Sequence, residues 1–146
     1  MVDEMCEVGN LPASEGYALL SSSSSAMLID VRSAAEWTFV GTPDLESLGK
    51  QAVLAEWQRF PLMERTQDFA SKLTDELTKR RVPASAPLLF ICRSGARSLA
   101  AAQSMAACGY SHCINVVDGF EGPCDRHGHR GTIQGWKVAG LPWKQG

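Results

Sequence analysis

The chain has no apolar run near the roughly 20 residues that a bilayer-spanning helix needs. Its first residues, with Asp3, Glu4 and Glu7, lack the basic and apolar regions of a secretory leader. Membrane association is therefore not expected, and a cytoplasmic location is the default. A charge field of one sign is lacking too. With 14 basic and 16 acidic residues the net charge is −2, so nothing in the overall balance recruits nucleic acid or an anionic membrane, and any positive potential must be local. A disulfide framework is also missing. The five cysteines (Cys6, Cys92, Cys108, Cys113 and Cys124) are odd in number and irregular in spacing, which fits free thiols in a reducing compartment. What remains is a 146-residue chain, 45% hydrophobic and 21% charged, of a size and composition suited to one globular domain.

The chemistry-bearing stretch runs from Pro87 to Gly109. Pro87 to Ile91 is apolar without alternation, as in a strand buried on both faces of a parallel sheet. It stops at Cys92-Arg93-Ser94-Gly95-Ala96-Arg97, and from Ser98 to Ala107 an Ala- and Leu-rich segment reads as a helix, with Gly109 placed for a left-handed C-terminal residue. Ligands of open parallel α/β sheets sit beyond the carboxyl ends of the strands, where Cys92 falls. The small residues Ser94, Gly95 and Ala96 let the loop curl with backbone N–H groups inward, and the helix start adds unpaired donors and partial positive charge. Together with Arg93 and Arg97 these groups form an anion cradle, in which Cys92 is expected to be a low-pKa nucleophile. Cys-x4-Arg encloses a six-residue loop. The Cys-x5-Arg loop of tyrosine and dual-specificity phosphatases and arsenate reductases is one residue larger, as a tetrahedral phosphate requires, whereas a single sulfane sulfur or the end of thiosulfate fits the smaller ring.

Around this centre the chain alternates strands and helices, which implies a three-layer α/β domain with a mostly parallel sheet of about five strands and helices on both faces. Residues 1–13 lack periodicity and read as an arm, with the domain proper at 14–146. Ser14 is placed to cap a short helix, and Ser21 to Ser25 reads as a loop. Met27 to Val31 forms a central strand whose end carries Asp30 and Arg32 on the rim that holds Cys92. Asp30 suits a salt bridge there, and Arg32 is a candidate to face substrate. Ser33-x-x-Glu36 has capping-box spacing. Ala52 to Trp57 reads as a further strand. Phe69, Ala70, Leu73 and Leu77 mark an amphipathic helix over 66–81, closed by cations that suit its dipole. Cys113 to Val117 is another strand, and Gly135 to Trp143 a C-terminal helix packed through Trp136 and Leu141. His112 reads as a packing or surface residue. Cys124, His127 and His129, with Asp118 or Asp125, have ligand chemistry but match no standard zinc spacing, so 122–131 reads as a polar surface loop and no metal is expected.

Four features resemble the rhodanese family of sulfurtransferases: Asp30-Val31-Arg32 followed by Glu36-Trp37; Cys92 to Ser98; Val117-Asp118-Gly119-Phe120; and Trp136-x3-Gly140-Leu141-Pro142. They span about Leu19 to Trp143. The resemblance implies a single-domain rhodanese in which Cys92 accepts a sulfane sulfur from a donor such as thiosulfate, becomes a persulfide and passes the sulfur to a thiophilic acceptor. Arg93, Ser94, Gly95, Ala96, Arg97 and Ser98 would bind the substrate, with no metal or organic cofactor. Two features depart from the pattern: Gly41-Thr42-Pro43 stands where many members have Gly-His-Ile, and 122–131 is inserted. Donor and acceptor are small molecules or proteins, and a monomer or weak homodimer is expected. The alternatives are a sulfur-relay or protein-interaction module and, against the loop size, a cysteine-dependent phosphatase or arsenate reductase.

Overall fold

The computed structural model describes residues 8–59, 64–65 and 68–145. Cys6 and the start of the helix expected over 66–81 lie outside them. The centre is a five-stranded, all-parallel sheet built from β1 (Gly9–Leu11), β2 (Met27–Asp30), β4 (Val53–Leu54), β7 (Leu88–Ile91) and β8 (Cys113–Val116), in the order β1-β8-β7-β2-β4. The middle strand β7 pairs Phe90 with Ile29 on one side and with Asn115 on the other. All four of its residues are buried, as an uninterrupted apolar run in a covered parallel sheet requires.

Side-chain alternation along the strands divides the core into two clusters. Ile29, Val31, Leu88 and Phe90 face α3 (Phe69–Lys79) and α4 (Ala96–Ala107), whose Leu73, Leu77, Ala102 and Met105 recur at helical spacing. Leu28, Leu89, Ile91 and Val116 face the other way, against α1 (Ala13–Ser22), Phe120 and Trp136. Helices thus cover both faces of the sheet, as the alternating pattern implies. Cys92 belongs to the first cluster, directly under α4.

Several expectations need correcting. The supposed arm supplies the outer strand β1, because Gly9 to Leu11 complete the free edge of β8. Helix α1 starts at Ala13, before Ser14, because a distant carboxylate caps it: Asp118 Oδ1 accepts from Ala13 N at 2.8 Å. The helix also takes in Ser21 and Ser22, whose hydroxyls donate back to the Tyr17 and Leu19 carbonyls. Only Val53 and Leu54 of the 52–57 stretch form a regular ladder; the Ala55 and Trp57 amides still reach the Asp30 and Val31 carbonyls, and a short antiparallel pair follows, β5 (Gln58–Arg59) with β6 (Glu64–Arg65). Gly135 to Trp143 is not a helix. Trp136 N and Lys137 N donate to Gly119 O and Phe120 O, Gly135 and Gly140 take positive φ, and the segment ends in β9 (Trp143–Lys144), antiparallel to β3 (Thr42–Pro43). Trp136 is fully buried all the same, and its indole N–H donates to Pro142 O.

Candidate active site

β7 delivers Cys92 to the carboxyl edge of the sheet, and the chain turns there into α4 through Arg93, Ser94 and Gly95. The turn after β8 fixes the path of this loop. Phe120 N donates to Cys92 O, and Glu121 N and Gly122 N both donate to Arg93 O. With the carbonyls held on that side, the trans peptides aim the Arg93 and Ser94 N–H groups away from it. Two glycines make the arrangement possible. A Cβ on Gly119 would lie 2.3 Å from Arg93 O, and one on Gly95, at φ +106°, would lie 2.5 Å from Val117 O.

Cys92 is 1% exposed, and its sulfur lies against a backbone N–H and a hydroxyl. Gly95 N donates to Sγ at 3.1 Å and Ser98 Oγ is 3.3 Å from it. Behind them Asn115, buried on β8, ties the set together: its Oδ1 accepts from Ser98 Oγ at 2.5 Å and its Nδ2 donates to Gly95 O at 3.2 Å. The start of α4 lies directly beyond, so its positive end also points at the sulfur. Asn115 was invisible as a site residue in the sequence, where it stands within an otherwise apolar strand.

A hollow of about 310 Å³ opens beside the sulfur, with Glu36 and Gln58 on one side and Cys92, Arg93, Ser94, Ala96 and Arg97 on the other. Glu36 comes from α2 (Ala34–Phe39), whose capping box forms as its spacing implies: Ser33 Oγ accepts from Glu36 N while Ser33 N donates to Glu36 Oε1. The same carboxylate receives Arg97 in a two-pronged pair, Nη1 to Oε1 at 2.6 Å and Nη2 to Oε2 at 2.9 Å. Burial alone would raise the Glu36 carboxyl, but the Arg97 hydrogen bonds, the Ser33 amide and the Arg97 charge outweigh it and hold it at about 2. The Glu36 hydrogen bonds, in turn, raise Arg97 against the effect of burial.

Asp30 and Arg32 lie below the rim, not on it. Both are 0% exposed and neither lines the hollow. Arg32 Nη2 donates to Asp30 Oδ2 and to Gly41 O, both at 2.7 Å, and its guanidinium lies 4.2 Å from the Phe120 ring centroid. Asp30 thus forms the salt bridge expected of it, and Arg32 is turned inward to brace the rim from beneath. His112 is exposed at the start of β8, the opposite end of the sheet from Cys92. In the 122–131 loop Asp125 is occupied locally, accepting from His127 N, His129 N and Thr132 Oγ1. Asp118 is turned away to cap α1. Among the described residues no group of three His, Cys, Asp or Glu is placed to hold a metal ion.

A covered parallel sheet with a buried cysteine at the end of its middle strand is a rhodanese-like α/β fold. A family model described as the STR4 middle domain matches residues 8–146, and the chain belongs to that family. Rv0390 from M. tuberculosis, known as a crystal structure, is 42% identical, with a TM-score of 0.85 over 95% of this chain and 98% of that one. The Arabidopsis thaliana rhodanese-like domain-containing protein 4, chloroplastic, is 28% identical over 131 residues, which are 90% of this chain and 24% of that protein. The polysulfide-sulfur transferase homodimer of Wolinella succinogenes is 20% identical with a TM-score of 0.58, covering 99% of this chain and 83% of its own, a likeness of fold.

Proposed function

We propose that the protein is a sulfurtransferase that carries a sulfane sulfur on Cys92 between a donor and a thiophilic acceptor. The observation behind this reading is a buried sulfur that accepts from Gly95 N on its protein side, lies beside Ser98 Oγ, and borders a small hollow flanked by arginine. The Cys92 thiolate attacks the outer sulfur of the donor. An Sγ–S bond forms as the donor's own S–S bond breaks, and the electron pair leaves with the remainder, as sulfite from thiosulfate or as a thiolate from a persulfide. One negative charge stays on the new outer sulfur, where the loop amides and the Arg93 charge stabilise it. An acceptor nucleophile then takes that sulfur and restores the Cys92 thiolate. No net oxidation or reduction occurs in either half.

The phosphatase alternative is disfavoured by the engagement of Arg97. Both of its terminal nitrogens donate to Glu36, whose carboxylate offsets the charge that a phosphate would need at the end of the loop. The test is intact mass after incubation with inorganic polysulfide or concentrated thiosulfate. Wild type should gain one sulfur atom that cyanide removes, and Cys92→Ala should gain none. Absence of any gain with either donor, from a folded protein, would overturn the reading.

A further inference from the structure

We infer that Glu36 is a specificity-determining residue, which tunes the site for singly charged persulfide donors and against the thiosulfate dianion. The inference rests on the sulfur-transfer reading above and adds the chemical class of the donor. Among the described residues three charged side chains border the hollow beside Cys92: Arg93, Arg97 and Glu36. Two of them cancel. The Glu36 carboxylate takes both terminal nitrogens of Arg97 and is fixed by Ser33 N and Ser33 Oγ, so it cannot swing away without breaking the cap of α2. With its carboxyl held at about 2, Glu36 is ionised throughout the physiological range. Arg93, exposed at the second position of the loop, is left among the described residues as the uncompensated cation of the hollow.

The incoming charge decides what this arrangement favours. Transfer from thiosulfate brings a dianion up to the Cys92 thiolate, so three negative charges gather with Glu36 as a fourth; cysteine persulfide and sulfite, again three charges, must then separate. Transfer from a persulfide, R–S–S⁻, brings one charge and yields Cys92–S–S⁻ and R–S⁻. Atoms and charge balance in both. By offsetting Arg97, Glu36 removes an attraction that would act on each donor charge and that in a partly buried hollow is screened far less than in water. Thiosulfate loses that attraction twice, whereas a donor with one charge loses it once and can place that charge near Arg93.

The experiment measures the second-order rate of Cys92 persulfide formation, by rapid mixing and intact mass, from thiosulfate and from N-acetylcysteamine persulfide, whose charge resides on sulfur alone. Wild type should load faster from the persulfide. Glu36→Gln keeps a residue able to complete the capping box and removes the charge, freeing Arg97. It should raise the thiosulfate rate roughly tenfold or more relative to the persulfide rate. Glu36→Asp, which keeps the charge, should retain the wild-type preference if its melting temperature shows an intact fold. A wild-type preference for thiosulfate, or a Glu36→Gln variant in which both rates fall together, would overturn the inference and leave Glu36 a structural cap. Failure of wild type to load from either donor would instead remove the sulfur-transfer reading on which it stands.

Discussion

Cys92 and Cys113 belong to the same hydrophobic cluster and are almost equally buried, 1% and 3% exposed, on or beside neighbouring strands. Cys113 opens β8 opposite Leu88, the first residue of β7, and Cys92 follows the last residue of that strand. They are therefore separated by the length of one strand, about 13 Å at the usual rise per residue. At the carboxyl end, Cys92 meets a backbone N–H, a hydroxyl and the positive end of α4. At the amino end, Cys113 points its thiol at a carbonyl, Tyr110 O, close to where α4 ends, and burial together with nearby Cys108 pushes its pKa up to about 12. Burial is common to the two; the direction of the surrounding backbone is not. A parallel sheet with its following helix gives one end the groups that hold a sulfur anion and the other end groups that repel it.

The sharpest way to break this comparison is to remove each sulfur in turn. Cys92→Ala should abolish sulfur loading outright, whereas Cys113→Ala should load at close to the wild-type rate, with a stability loss of about 1 kcal/mol for the small void it leaves. Loss of loading in a folded Cys113→Ala protein would mean that the two ends are not chemically distinct.

The next largest effect is expected in stability. The cradle end rests on a buried ion pair, and Arg32→Ala would leave Asp30 charged, without a cation and with the backbone N–H of residue 32 as its remaining donor. Denaturant unfolding should register a loss of about 3–5 kcal/mol, part of which returns when Asp30 is also made neutral. A loss below about 1 kcal/mol would show that water or another cation replaces Arg32.

Which parts of this arrangement the sequence disclosed follows from the range of the interactions involved. The Pro87 to Ala107 stretch was legible because its signals are local: an apolar run, a cysteine, small residues, then helix formers. The Ser33 and Glu36 cap was legible for the same reason. Contacts between distant segments were not. Nothing near Asp118 in sequence says that it caps a helix more than a hundred residues earlier, and Ser14 therefore took the role on paper. Asn115 is one polar residue in a short strand, and only the pairing of β8 with β7 sets it behind Ser98 and Gly95. Arg97 carried a free charge in the sequence reading because its partner lies 61 residues away on α2. The C-terminal stretch misled because its tryptophan and leucine announce packing against the sheet whatever the backbone does, while its backbone amides are used by the 119–120 turn.

Asn115 offers a smaller and more selective test. Asn115→Leu keeps the volume but removes the acceptor of Ser98 Oγ and the donor to Gly95 O. The rate of sulfur loading should fall about tenfold and stability by about 1–3 kcal/mol, the cost of leaving buried polar groups unpaired. The rate of Cys113 alkylation should not change. A variant that lost stability but kept the full loading rate would confine Asn115 to packing.

The smallest effect is silent at neutral pH and belongs wholly to the other end. Cys113 ionises near 9.0 when exposed in an unfolded chain, and near 12 in the fold, chiefly because burial disfavours its thiolate and secondarily because of Cys108. Between those values the folded protein holds a proton that the unfolded chain has released. Stability therefore falls as pH rises through that window and is unaffected below it. Cys113→Ala should flatten this part of the curve when wild type and variant are unfolded by denaturant at pH 8, 9 and 10. Iodoacetamide at pH 8 should label the exposed Cys108 and Cys124 of the native protein well before Cys113. Equal labelling of Cys113 would mean that the amino end of β8 opens readily to solvent, and the contrast between the two ends would then rest on mobility instead of on the direction of the backbone.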